Sequence, residues 1–172
     1  MVRKRKMYIS ADWEHDKDAV NQIYKWKNDK GWDLELCDTH ELTETSGISC
    51  PCLVKTSMRY TLDDATTLVL IVGDHTAAVT KGECQHCVHY NSYIDCCEKD
   101  RFMDNRDYIT WECEKSVRTD KKIIVLYKSI CVDKTKCPPS VRDVGTHVAM
   151  VHKGQDNRKY WDYNAVKEAL EV

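Results

Sequence analysis

The segment LVLIVGDHT, Leu68 to Thr76, runs five apolar residues without interruption into a glycine, an acid and a histidine. A strand with one wet face alternates apolar with polar residues; Leu68 to Val72 does not, and neither does KIIVLY at Lys122 to Tyr127. Both therefore read as strands buried on two faces, the condition of a parallel sheet.

Working outward, KMYISA (Lys6 to Ala11), WDLELC (Trp32 to Cys37) and HVAMV (His147 to Val151) supply three more strand segments. The intervals between them carry helical spacing. Val20, Ile23 and Tyr24 repeat at i, i+3 and i+4, with Asp16 as the expected cap and Gly31 as the stop. Val54 to Asp64 reads as a second helix. Ile109, Cys113 and Val117 mark a third over Asp107 to Thr119, and Val166, Ala169 and Leu170 share a face in a last one over Tyr163 to Leu170. Residues 38 to about 53 form a loop rich in Thr, Ser, Gly, Cys and Pro. Alternating strands and helices of this kind imply a parallel sheet covered by helices on both faces. Such sheets bind ligands beyond the carboxyl ends of their strands. Asp74 and His75 end the third strand there, and Asp12, Trp13, Glu14 and His15 follow the first strand at the same edge.

The 172 residues are expected to form one domain, 1–172, with enough length for a real core. The 26 basic and 28 acidic residues are mixed along the chain, net charge -2, which offers no broad basic field for nucleic acid. The short basic run Arg3 to Lys6 reads as a solvated lead-in to the first strand. It is followed by acids and a tryptophan rather than the apolar centre of a secretory signal, and no run approaches the roughly 20 apolar residues that cross a bilayer. A cytoplasmic protein that engages no membrane is the expectation. Its ten cysteines then read mostly as reduced thiols.

Between residues 80 and 106 the strand and helix pattern breaks, and CQHCVHYNSYIDCC lies inside the break. Cys84 and Cys87 have the C-x2-C spacing that lets two thiolates grip one tetrahedral zinc, with Cys96, Cys97, His86 and His89 as further donors. Cys84, Cys87, Cys96 and His89 make one ligand set, since adjacent cysteines rarely reach the same ion. The alternative is an irregular subdomain whose buried thiols act as small hydrophobes.

Three blocks in order, MYISADWEHD, LVLIVGDHT and YITWECEKSV followed by KKIIVLY, resemble the TIR-like domains of the Thoeris antiviral type in bacteria. The resemblance covers about residues 6 to 127. It implies a flavodoxin-like five-stranded parallel sheet, a substrate, NAD, cleaved to nicotinamide and an ADP-ribose-derived, often cyclised product, and a separate effector protein that the product activates. It also implies a catalytic glutamate on the helix after the third strand. Glu112 takes that place, with Tyr108 four residues before it and Trp111 beside it. On this reading Asp12, Trp13, Asp74, His75, Tyr108 and Trp111 contact the substrate, and an ordinary glutamate pKa of about 4.3 keeps Glu112 ionised at neutral pH. The 80–106 insertion departs from the family's pattern.

Other readings use the same residues. Glu112 is also a solvated acid favoured near a helix start, and Trp13 and Trp111 also suit a core or a rim. A receiver-like phosphoacceptor would use Asp12, Asp74, Ser129 and Lys153. A TIR-like fold that self-associates without catalysis would leave Glu112 idle.

Overall fold

The computed structural model describes residues 5–44, 50–99 and 101–172; Arg3 and Lys4 of the basic lead-in and part of the 38–53 loop lie outside them. Five strands form the central sheet: β1 (Arg5–Ser10), β2 (Leu34–Cys37), β3 (Thr67–Val72), and, numbered in chain order with the two short hairpins below, β6 (Lys122–Tyr127) and β7 (Thr146–Ala149). They pair in the order β2-β1-β3-β6-β7, every pair parallel. This is the flavodoxin-like 2-1-3-4-5 order, whose ligand site falls where the chain reverses direction across the sheet, between β1 and β3. All six residues of β3 are buried, as its unbroken apolar run requires.

Helices cover both faces. On one, α1 (Trp13–Lys30) and α5 (Tyr163–Leu170) bury Val20, Ile23, Val166 and Leu170 against Met7, Ile9, Val69 and Ile124. On the other, α3 (Pro51–Asp64) and α4 (Tyr108–Arg118) bury Met58, Leu62, Ile109 and Cys113 against Tyr8, Leu68, Leu70 and Val125. The short α2 (His40–Glu44) occupies the loop after β2.

Three local expectations shift. The cap of α1 is Asp12, which accepts from Glu14 N–H, whereas Asp16 is buried within the helix. The fifth strand ends at Ala149, and residues from Val151 onward turn away into a hairpin of β8 (Val151–Lys153) and β9 (Lys159–Trp161). Val117 stands 37% exposed, so the α4 stripe is carried by Ile109 and Cys113. The 80–106 insertion contains only two-residue strands, β4 (Tyr90–Asn91) and β5 (Cys96–Cys97), paired antiparallel. No helix among the described residues is long and apolar enough to cross a membrane.

Candidate active site

A cavity of about 490 Å3 opens at the carboxyl edge of β1 and β3. Its walls are Ser10 to His15 from the β1–α1 junction, Thr39, His40 and Thr43 after β2, His75 and Ala78 to Lys81 after β3, and Tyr108, Ile109 and Glu112 from α4. Its size lies within the roughly 300–1,000 Å3 of small-molecule pockets.

Glu112 is the buried acid of the lining, 4% exposed. Tyr8 O–H donates to its Oε1 and Ser10 O–H to its Oε2. Strand periodicity explains the pair: residues two apart point to the same face, so Tyr8 and Ser10 both face α4 while Met7 and Ile9 face α1. With its proton given to Glu112, the Tyr8 hydroxyl accepts from Thr39, 2.5 Å away. The glutamate is thereby held by a chain running to the loop after β2. Helical spacing does the rest, since Tyr108 and Glu112 are four residues apart and line the cavity together. Asp107 fixes the start of α4 by accepting from Thr110 N–H at 2.9 Å.

Burial pushes the Glu112 carboxyl up to about 7, against the downward pull of its bonds from Ser10 and Tyr8. The ordinary pKa expected from the sequence is therefore corrected. At neutral pH the side chain sits near its midpoint rather than fully ionised.

Two ring pairs build the walls. Trp13 stacks on His40 at 3.8 Å between centroids, and His15 stacks on His75 at 3.9 Å. Asp12, besides capping α1, lies 2.7 Å from His15 Nδ1, which sets that ring's orientation. His40 Nδ1 is held in the same way by Asp38 at 2.6 Å.

The residues after β3 divide their tasks. Gly73 is required because a Cβ there would fall 2.1 Å from Asp16 Oδ1, and its N–H donates to Thr76 Oγ1 at 2.9 Å. His75 joins the cavity wall. Asp74 does not: it points to solvent and pairs with Lys136 at 2.5 Å. Trp111 is likewise away from the cavity, buried in the core between α4 and the sheet. Of the expected set, the structure brings Glu112, Asp12, Trp13, His75 and Tyr108 together and leaves out Asp74 and Trp111. The receiver-like constellation is dispersed in the same way, because Asp74, Ser129 and Lys153 do not line the cavity that Asp12 lines.

Sequence reasoning missed Tyr8, Ser10, Thr39 and His40. A hydroxyl at alternate positions of an otherwise apolar strand, Tyr8 and Ser10 in KMYISA, was the available signal. Thr39 and His40 follow a loop whose path no local pattern fixes.

No protein-family model and no curated protein matches the chain. Among solved structures, the 2-deoxyribosyltransferase from the psychrotolerant bacterium Bacillus psychrosaccharolyticus is similar at a TM-score of 0.45 and 13% identity, over 77% of this chain and 82% of that one.

Proposed function

We propose that the cavity between β1 and β3 cleaves the bond between nicotinamide and ribose in NAD, releasing an ADP-ribose-derived, cyclised signal that activates a separate effector in bacterial antiviral defence. The TIR-like resemblance of the sequence supplies the substrate and the biological setting. The observation that carries the chemistry is one buried carboxylate, Glu112, held by two hydroxyls in the lining of a cavity walled by aromatic rings.

Nicotinamide departs as a neutral molecule with the electron pair of the broken bond, so no general acid is needed. Positive charge then develops on the ribose, as in the oxocarbenium-like transition states of glycoside hydrolysis. A fixed carboxylate in a pocket shielded from water stabilises that charge with little reorganisation. Glu112 must be ionised to do so. The positive nicotinamide ring of the bound substrate favours ionisation, lowering the carboxyl from about 7 when it enters. The ribose cation is captured by water, which gives ADP-ribose and a proton, or by a nucleophile of the same molecule, which gives a ring. Asp12 is engaged with the α1 start and His15, and Glu14 is exposed in the first turn of α1, so neither matches Glu112 as the stabilising group.

Chromatography of small molecules from cells expressing the protein, with and without phage challenge, tests the reading. A new ADP-ribose-derived species with matching NAD loss after challenge is the expected result. Unchanged NAD and no such species in challenged cells that hold folded protein would refute it.

A further inference from the structure

Five cysteines from two separate parts of the chain line a second, much smaller cavity: Cys50 and Cys52 at the start of α3, Cys84 and Cys87 in the turn that opens the insertion, and Cys97 on β5. Its volume, about 10 Å3, suits a single atom rather than a molecule. This cluster lies apart from the Glu112 cavity and shares no lining residue with it.

The local folding explains which thiols meet. Cys87 N–H donates to Cys84 O at 2.9 Å and Tyr90 N–H to Cys87 O at 3.0 Å, so the C-x2-C segment closes as a tight turn with both of its cysteines on the cavity. Adjacent strand residues point to opposite faces, and Cys97 lines the cavity while Cys96 does not. Cys50 occupies the N-cap of α3 without making a side-chain cap bond, and it lines the same cavity as Cys87.

We propose that Cys50, Cys84, Cys87 and Cys97 form a tetrahedral zinc site that staples the insertion to the start of α3. The fixed groups around them suit it. Asp104 N–H donates to Cys84 Sγ at 3.2 Å, the kind of bond that orients a thiolate ligand. Four thiolates on a divalent ion leave two negative charges. Arg101 lines the cavity, and the buried Lys55 donates to the carbonyl of Asp104, whose own N–H bonds Cys84, so two cations are at hand to offset them. The insertion also needs a staple: its strands are two residues long, and Val88, Tyr93, Ile94 and Phe102 are exposed rather than gathered into a core.

Among the described residues no group of three or more His, Cys, Asp or Glu is already arranged to hold a metal ion. Zinc binding therefore requires the four thiols to give up their protons to solvent and their side chains to turn inward. The set differs from the one expected from sequence, since Cys96 and His89 lie off the cavity and are replaced by Cys97 and by Cys50, 34 residues upstream of Cys84. The proposal stands independently of the NAD reading.

Protein isolated from zinc-supplemented cells without chelator should carry about one zinc per chain, and cobalt(II) exchanged into it should give thiolate-to-metal charge-transfer and tetrahedral d–d bands. Cys87→Ser and Cys97→Ser should lower zinc retention by roughly tenfold or more, with Cys96→Ser and Cys131→Ser at the parent level. Folded parent protein with only trace zinc and no cobalt bands would overturn the site. So would equal losses from Cys96→Ser and Cys97→Ser, or a Cys50–Cys87 disulfide found by peptide mapping of freshly isolated protein. If the serine variants fail to fold, the metal content and cobalt spectrum of the parent decide alone.

Discussion

The central sheet and the 80–106 insertion occupy neighbouring positions in one chain and are held by different forces. In β3 and β6 almost every side chain is buried, so hydrophobic transfer dominates and register follows from the apolar runs. The insertion has two pairs of strand residues, exposed aromatic and aliphatic side chains, and polar ties to its surroundings. Lys55 supplies one such tie. From within α3 its ammonium donates to the carbonyls of Asp104 at 3.1 Å and Arg106 at 2.6 Å, and stands 3.5 Å from the Asp104 carboxylate. Regions of the first kind are sensitive to lost methylenes, and regions of the second kind to lost partners.

The largest effect expected from this contrast is at Leu70, fully buried in β3. Leu70→Ala should cost about 3–4 kcal/mol through lost transfer energy and a residual cavity, read as a lower urea midpoint at unchanged slope. A change under about 1 kcal/mol would mean that the sheet collapses around the deletion, contrary to its packed interior.

Next comes Glu112, an ionisable group buried where the sheet meets the site. Its pKa, raised from an ordinary 4.5 to about 7, means that the folded protein holds a proton the unfolded chain has released. Stability therefore falls as pH rises from about 4.5 to about 7 and levels off above, by roughly 3 kcal/mol in all. Urea unfolding of parent and Glu112→Gln across that window should show the variant gaining on the parent with rising pH. A constant difference would place the native carboxyl at an ordinary pKa.

Lys55→Met should cost about 1–3 kcal/mol by removing the bonds to the Asp104 and Arg106 carbonyls and the ion pair with the Asp104 carboxylate. Hydrogen exchange should rise in residues 80–106 well before the sheet, and a uniform rise would erase the distinction between the two regions. The smallest effect belongs to Tyr93, 97% exposed at the tip of the insertion. Tyr93→Ser should change stability by no more than about 0.5 kcal/mol in the same urea assay.

The contrast also explains what could be read in advance. Strand positions, the parallel arrangement and the edge that holds the cavity followed from apolar runs such as Leu68 to Val72, because burial on both faces leaves a periodic mark. Glu112 and Tyr108 were placed by a family resemblance and a helical stripe. Asp74 was misplaced because its strand-end position fixes the edge but not the direction of its side chain, which Lys136 draws outward. Trp111 was misplaced because an indole suits core and pocket equally. That Cys50 and Cys87 line one cavity was invisible, since they are 37 residues apart in the sequence and no periodic pattern links them.

The central claim is that the Glu112 carboxylate performs the cleavage. Glu112→Gln keeps the size and most of the hydrogen bonding of the side chain and removes its charge; Glu114→Gln, whose parent residue pairs with Arg106 at 2.6 Å and does not line the cavity, is the matched control. In phage-challenged cells with equal protein levels, Glu114→Gln should make the NAD-derived product as the parent does, and Glu112→Gln should make none. Product from Glu112→Gln at the parent's rate would contradict the account.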